Sequence, residues 1–320
     1  MTSLRKIFIN GFSCFGGTKS GRRAIRNILD ALILDRKREN DEEALQGVLL
    51  RKLNRELGNF TIRYSNDFPK IVWQYWGQGK GTEPVIIKKC FESVDKFLEP
   101  CGFKIIRLDN DSICNYLGVE SLLENIGSKK GFTYTAFSDL ARCGLLYQYG
   151  GIWLDASIFL SGIPKVLLSN NMVLFERDKN SSIREKILYM SRNNYFRWGR
   201  NVRVNWLSSV IKAPKEDPLF GLMWKVLSRY WEEESEYTNY FLAQILFDLI
   251  KNRSGILNNL MYIMCNDLYP HQLQFMLQNK VDANKINKLL CDTTIHKLTY
   301  KLDDRICKDQ NNVFNYILRI

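Results

Sequence analysis

The residues best suited to chemistry lie close together near the middle of the chain. Ser138, Asp139 and Arg142 are three and four positions apart, so on a helix they share one face. Asp155 directly follows the apolar run 152–154, which has the pattern of a buried strand. Ligands of open α/β folds bind at the carboxyl ends of strands, where an aspartate can hold a divalent cation and its diphosphate. The pattern favours a site for a phosphate-bearing, sugar-like ligand.

Each of these residues also has a purely structural interpretation. Asp155 is compatible with a turn or a helix cap. Asp139 and Arg142 are compatible with an ordinary ion pair on a helix surface. The neighbouring helix positions are apolar, however, which indicates burial, and a buried ion pair is costly unless its hydrogen bonds are used. Gly150 and Gly151 fit either the end of a helix or a close approach of the backbone to a ligand.

Two further segments combine aromatic and polar side chains. Gln74, Tyr75 and Trp76 end a predicted strand, where they suit either stacking on a nucleobase or core packing. Asn205 and Trp206 follow a basic aromatic run and fit either a sugar ring or an irregular part of the core. Both segments are therefore candidates for ligand contact, with core packing as the alternative.

Other kinds of active site have little support in the sequence. His296 is one of only two histidines, and a lone histidine is more often structural than a ligand. The chain has no readable Ser-His-Asp order and no supported Cys-His pair, which disfavours nucleophilic hydrolysis. The eight cysteines form no Cys-x-x-Cys pair, so we expect reduced thiols rather than a zinc site.

The elements that must position these residues alternate between strand and helix. Strands are predicted at 70–76, 103–108, 152–155 and 172–175. Helices are predicted between the first three strands, and this βαβα order indicates an α/β fold with a mostly parallel sheet. Beyond about residue 215 the pattern is mostly helical. The main domain is expected to span residues 65–320.

Residues 1–64 are expected to form a basic helical extension. The net charge is +12, and half of it comes from the first forty residues. A basic amphipathic helix within residues 1–40 suits either an anionic membrane surface or a face packed on the main domain. A second helix is predicted after it, with Asn40 as its N-cap. No nucleic-acid-binding motif is present, so no nucleic-acid partner is expected.

The localisation is expected to be cytoplasmic. No apolar run approaches the roughly 18 residues of a membrane-spanning helix. The apolar stretch after Arg5 and Lys6 is too short and interrupted for the core of a signal peptide. With the basic N-terminus, these features predict a protein that stays inside the cell and contacts the inner face of the plasma membrane peripherally.

Three segments together resemble the bacterial capsular polysaccharide synthesis glycosyltransferases, which belong with the DXD sugar-binding enzymes of glycosyltransferase family 32. The segments are Lys70–Gly77, Phe137–Ala156 and Ile295–Leu298. The likeness implies a GT-A-like fold, with a single Rossmann-like mixed sheet flanked by helices. It also implies transfer of a sugar, with retention, from a nucleotide-sugar donor that is usually a UDP-sugar. The implied acceptor is a lipid-linked glycan or an oligosaccharide of a capsular or other cell-surface polysaccharide.

The resemblance assigns roles to individual residues. The implied catalytic residues are Asp139, Arg142 and Asp155. The implied donor-binding residues are Gln74, Tyr75, Trp76, Ser138, Gly150, Gly151 and Trp153. A Mn or Mg ion would be held by Asp155, Ser157 and His296, and the acceptor would contact Asn205 and Trp206. Ser157 replaces the second acid of the DXD motif with a weaker, neutral ligand. The alternative is therefore a catalytically degenerate transferase kept as a binding or scaffold protein.

Overall fold

The computed structural model describes residues 35–193, 195–199, 201–253, 255–259 and 262–320. Eight strands are present: β1 (Ile71–Tyr75), β2 (Lys104–Leu108), β3 (Gly151–Leu154), β4 (Ile158–Leu160), β5 (Met172–Glu176), β6 (Val210–Ala213), β7 (Tyr262–Asn266) and β8 (Ile295–Lys297). Six of them form the main sheet, in the order β2-β1-β3-β6-β5-β7, and β4 pairs with β8 in a small second sheet. In the main sheet β6 runs antiparallel to both of its neighbours, and the other pairs are parallel.

Twelve α-helices lie in the described part of the chain. They are α1 (Asp35–Asn59), α2 (Val85–Leu98), α3 (Asn110–Leu117), α4 (Glu120–Gly127), α5 (Tyr134–Tyr149), α6 (Lys165–Leu168), α7 (Ile183–Arg192), α8 (Pro218–Glu233), α9 (Leu242–Arg253), α10 (Ala283–Asp292), α11 (Asp304–Lys308) and α12 (Val313–Arg319). Short 3₁₀ helices cover Glu99–Cys101, Ile256–Asn259, Tyr269–His271 and Gln274–Met276.

Helices cover both faces of the main sheet. On one face Trp73 and Trp153 share a core with the apolar sides of α5, α8 and α9. On the other face Val72 and Ile152 pack with Val94 of α2. This alternation of successive residues is the period of two that a strand requires. The predicted α/β fold is confirmed: the main sheet is mixed, mostly parallel and flanked by helices on both faces.

Helix α5 and strand β3 are joined by two glycines with left-handed backbone. The helix begins where the Thr133 hydroxyl accepts a hydrogen bond from Ala136 N at 3.1 Å, and it ends at Gly150, whose φ is +67°. Gly151 has φ +99°, and a Cβ there would lie 2.5 Å from the carbonyl oxygen of Ile71 in β1. Only glycine fits this approach, so the pair fixes how β3 enters the sheet.

The N-terminal part of the chain differs from the prediction. Helix α1 is a component of the main core, because Leu49 and Leu53 are fully buried in it. Lys52 Nζ also forms an ion pair with Glu233 Oε2 of α8 at 2.6 Å. Asn40 lies inside α1 and does not cap it. The part of the predicted extension that forms α1 is thus packed on the main domain, and the basic segment 1–34 lies outside the described residues.

The C-terminal part beyond about residue 215 is mostly helical, as predicted, and it also contributes β7 and β8. None of the helices in the portion of the chain that the structure covers combines the length and apolar character needed to cross a bilayer.

Candidate functional site

A cleft of about 430 Å³ opens at the carboxyl edge of β1 and β3. Asp155, directly after β3, lies in it beside Trp153. Three other segments complete this part of the cleft: Tyr75–Gln78 after β1, one face of α5, and Lys297–Lys301 at the end of β8. The site therefore forms where an open α/β sheet normally binds its ligand.

Both carboxylate oxygens of Asp155 accept hydrogen bonds. Oδ1 accepts from Trp153 Nε1 at 2.8 Å and from Arg142 Nη2 at 3.2 Å. Oδ2 accepts from Lys297 Nζ at 2.6 Å. Burial by itself would raise the pKa of Asp155, but Lys297 and Arg142 outweigh it and hold this pKa well below its usual value. Asp155 is therefore a permanent anion that three donors fix in place.

Arg142 joins the two aspartates of the site. Its Nη1 lies 2.8 Å from Asp139 Oδ1 and donates to the carbonyl oxygen of Ser208 at 3.1 Å. Its Nη2 donates to Ser138 Oγ at 3.1 Å. Burial raises the pKa of Asp139 to about 6, against the opposing effect of Arg142. The predicted Ser138, Asp139 and Arg142 face of α5 thus lies in the cleft, with Asp155 beside it.

Lys297 is the site residue that the sequence prediction missed. Its neighbour His296 is turned the other way, because successive residues of a strand point to opposite sides. His296 is fully buried, its Nε2 lies 3.0 Å from Ser161 Oγ, and burial lowers its pKa to about 4. His296 does not line the cleft, so the structure does not bring it together with Asp155 and Ser157. The alternation within the matched segment Ile295–Leu298 was a signal that could have identified Lys297.

The first strand supplies two of its three predicted residues. Tyr75 and Trp76 line the cleft. The Trp76 ring meets the exposed ring of Tyr300 edge to face, with centroids 5.2 Å apart. Gln74 is fully buried, and its Oε1 accepts from Arg107 Nε at 3.1 Å, away from the cleft. The structure therefore places Gln74 outside the cleft that Tyr75 and Trp76 line.

Gly150 and Gly151 are also placed away from the site. Gly150 precedes β3 and Gly151 begins it, whereas Asp155 follows it, so the glycines and the aspartate lie at opposite ends of the strand. Neither glycine lines the cleft. In this structure they end α5 and let β3 approach β1.

The predicted acceptor residues do not offer a stacking surface. Trp206 borders the cleft but is fully buried, and its ring stacks on Phe247 with centroids 4.5 Å apart and planes at 11°. Asn205 does not line the cleft. The core interpretation that the sequence left open is therefore the correct one for the Trp206 ring.

A different set of residues lines another wall of the cleft. Tyr195, Tyr240 and Phe241 supply aromatic surface there, and Gln244 and His271 supply polar atoms. Gln244 Oε1 and His271 Nε2 have no hydrogen-bond partner among the described residues. Burial lowers the pKa of His271 to about 3, so its ring is neutral. This wall is apolar with uncharged hydrogen-bonding groups, and no sequence motif marked it.

The site is a poor match to a divalent cation. Asp155 is already paired with Lys297 and Arg142, and Ser157, which does line the cleft, offers only a neutral oxygen. Among the described residues, no three His, Cys, Asp or Glu side chains come together as a metal-binding group. The predicted set of Asp155, Ser157 and His296 is not assembled, since His296 lies elsewhere.

Comparisons with known proteins place the chain in a family. Two solved structures are similar at low scores: a glycosyltransferase involved in the glycosylation of the major capsid of PBCV-1, and the PaToxG glycosyltransferase. The first is 10% identical with a TM-score of 0.35 and covers 77% of this chain and 98% of its own. The second is 13% identical with a TM-score of 0.34 and covers 87% of this chain and 98% of its own. No curated protein sequence matches the chain.

The family comparison is more extensive. Residues 26–317 match the family described as capsular polysaccharide synthesis protein. This match spans α1 as well as the main sheet and the C-terminal helices, in agreement with the position of α1 in the main core. The chain therefore belongs to the capsular polysaccharide synthesis protein family.

Proposed function

We propose that this protein is a glycosyltransferase that moves a sugar from a nucleotide-sugar donor to a glycan acceptor in capsular polysaccharide synthesis. One observation carries the proposal: the linked charges of Asp139, Arg142, Asp155 and Lys297 lie at the carboxyl edge of the sheet of a chain in this family. Such a cluster is suited to holding an anionic, hydroxyl-rich ligand in one orientation.

The donor is proposed to be a UDP-sugar that lies across the cleft. Trp76 and Tyr300 form an aromatic pair near the cleft wall, which suits a nucleobase. Lys297 presents an ammonium next to Asp155, which suits the diphosphate. The sugar would then lie against Asp139, whose carboxylate can accept hydrogen bonds from hydroxyl groups.

Catalysis in this arrangement relies on charge stabilisation. Negative charge develops on the diphosphate as the bond to the sugar breaks, and a fixed cation beside it lowers the barrier. Lys297 supplies such a cation. Arg142 has donors committed to Asp139, Asp155 and Ser138, so its role is to hold both carboxylates in position. Retention of configuration at the transferred sugar is proposed as well, and NMR of the first-formed product tests it.

The acceptor is proposed to bind along the wall that contains Tyr240 and Phe241, as an oligosaccharide or a lipid-linked glycan. The Tyr240 and Phe241 rings provide apolar surface for a sugar ring. Gln244 Oε1 and His271 Nε2, which have no partner within the described part of the chain, provide polar atoms for its hydroxyl groups. Peripheral contact of the basic residues 1–40 with an anionic membrane would bring a lipid-linked acceptor close, and this contact remains a prediction.

A screen of UDP- and GDP-sugars tests the proposal. Purified protein is incubated with each donor, with and without Mn²⁺, and release of the nucleoside diphosphate is measured. We expect hydrolysis of one donor class, and loss of this activity in Asp139→Asn. If no donor is hydrolysed and none raises the thermal unfolding temperature, the enzyme proposal fails and the scaffold alternative is favoured.

A further inference from the structure

We propose that Lys297 takes the place of a divalent cation at Asp155, so that the protein binds and uses its nucleotide-sugar donor without a metal. The inference rests on the proposed function, because the charge that Lys297 would neutralise is that of the donor diphosphate. Three observations support the inference: the position of Lys297 in the cleft, the charges around it, and the strand that holds it in place.

The position of Lys297 lets it contact both the protein and a ligand. Its Nζ lies 2.6 Å from Asp155 Oδ2, and the two side chains are 20% and 21% exposed. Both residues line the cleft. An ammonium group has three donors, and Asp155 engages one of them. The same group can therefore donate to a phosphate oxygen while it stays paired with Asp155.

The local charge leaves no carboxylate for a metal ion. Asp139 and Asp155 carry the negative charge, and Arg142 and Lys297 balance it. A divalent cation would have to displace Lys297 from Asp155 and would then face the Arg142 guanidinium across the same carboxylate. Two cations that share one carboxylate in a partly buried site repel each other strongly. The neutral hydroxyl of Ser157 is a weak metal ligand and would not compensate for this repulsion.

The segment that carries Lys297 is held firmly. Strand β8 pairs with β4, so that Lys297 lies opposite Ile158. The next residue, Leu298, donates its N–H to the carbonyl oxygen of Ser157 at 2.9 Å. On the other side of the strand His296 lies against Ser161. The backbone of the Asp155–Ser157 segment thus sets the position of the ammonium before any ligand binds, as a preorganised site requires.

Equilibrium binding of UDP and GDP, measured by calorimetry in excess EDTA and in millimolar Mn²⁺, tests the inference. The variants are Lys297→Met and, as a matched control, Lys288→Met, which removes an exposed lysine of α10 outside the cleft. For the nucleotide that binds, we expect wild-type affinity to agree within about twofold between EDTA and Mn²⁺. Lys297→Met should bind about ten- to hundredfold more weakly in EDTA, and Lys288→Met should bind like wild type.

Two further readouts separate a local effect from a folding defect. The nucleoside without phosphate should bind wild type and Lys297→Met equally, because it makes no diphosphate contact. Mn²⁺ should restore part of the affinity of Lys297→Met, because Asp155 then lacks its lysine partner. If the methionine variant does not fold, Lys297→Gln gives the same comparison, and its thermal unfolding is measured alongside.

The possible failures are distinguishable. If the wild-type protein needs Mn²⁺ to bind nucleotide and to hydrolyse the donor, the inference is overturned. The glycosyltransferase proposal would then remain intact. Equal affinity of Lys297→Met and Lys288→Met in EDTA would also overturn it. Absence of both nucleotide binding and donor hydrolysis under every condition would instead refute the proposed function on which the inference rests.

Discussion

Replacing Asp155 by asparagine tests the charge network with almost no change in side-chain volume. The carboxylate accepts hydrogen bonds from Trp153, Arg142 and Lys297. An asparagine has only one acceptor oxygen, and its NH₂ group would face at least one of these donors. Arg142 keeps Asp139 as a partner, whereas Lys297 loses the carboxylate that holds it. The substitution therefore acts mainly on the position of Lys297.

The stability cost follows from the same contacts. Removing one partner of a buried ion pair costs about 3–5 kcal/mol. The Asp155 side chain is 21% exposed, so water compensates part of this loss and we expect about 2–3 kcal/mol. Urea unfolding at neutral pH measures it. A protein of this size is expected to stay folded under assay conditions after a loss of this magnitude.

The loss of transfer activity in Asp155→Asn should be larger than the loss of folded protein can explain. With Lys297 displaced, we expect kcat/KM for donor hydrolysis to fall at least about a hundredfold, because one preorganised charge contact in a transition state is worth about that much. The assay compares wild type and Asp155→Asn well below the unfolding temperature of the variant. Circular dichroism confirms that the sample is folded.

Asp95→Asn is the matched control. Asp95 forms an ion pair with Arg107 at 2.5 Å, but both side chains are about one-third exposed and lie outside the cleft. We expect this variant to lose less than about 1 kcal/mol of stability and none of its activity. The reasoning is refuted if Asp155→Asn keeps wild-type kcat/KM, or if Asp95→Asn loses as much activity as Asp155→Asn.

Two further substitutions test the protein outside the charge network. Burial raises the pKa of Asp217, the N-cap of α8, from 3.8 to about 7. The folded state therefore binds this proton more tightly than the unfolded state, and the stabilisation present below pH 3.8 is lost as the pH rises through 7. Between pH 5 and 8, the free energy of unfolding in urea should fall by about 3 kcal/mol more for wild type than for Asp217→Asn. Equal pH dependence of this free energy in the two proteins would contradict the reasoning. Gly151→Ala should cost about 3 kcal/mol, because its Cβ meets the Ile71 carbonyl oxygen in a left-handed conformation. The folded fraction of this variant should bind the donor as wild type does. A loss of nucleotide affinity would show instead that Gly151 contributes to donor binding.

Local patterns predicted four of the five strands in the first half of the main domain. The β-branched and aromatic runs predicted β1, β2, β3 and β5. Strands β1, β3 and β5 lie in the interior of the sheet, where strands are mostly apolar. The spacing of Ser138, Asp139 and Arg142 predicted one helix face, and the strand before Asp155 predicted the edge of the sheet. These inferences needed only the periods of helices and strands, and the structure brings the four residues together.

Contacts between distant parts of the chain were not predictable in this way. Lys297 reaches Asp155 across 142 positions, through the pairing of the three-residue strands β4 and β8. The alternation within Ile295–Leu298 indicates the side that Lys297 faces, but it does not show that this short strand pairs with β4. The predicted N-terminal extension includes α1, yet Leu49 and Leu53 of this helix pack into the main core. The distance of Gly150 and Gly151 from Asp155 was predictable in principle, since the glycines lie where β3 begins and Asp155 follows its end.

The position of a bound donor tests the central claim most directly. Crystals of the protein are soaked, in EDTA, with the UDP- or GDP-sugar that the screen identifies, and the ligand is located by diffraction. We predict the diphosphate within hydrogen-bonding distance of Lys297 Nζ, the base near Trp76 and Tyr300, and the sugar against Asp139. A donor bound elsewhere in the chain, or in this cleft with its diphosphate away from Lys297, would contradict the account.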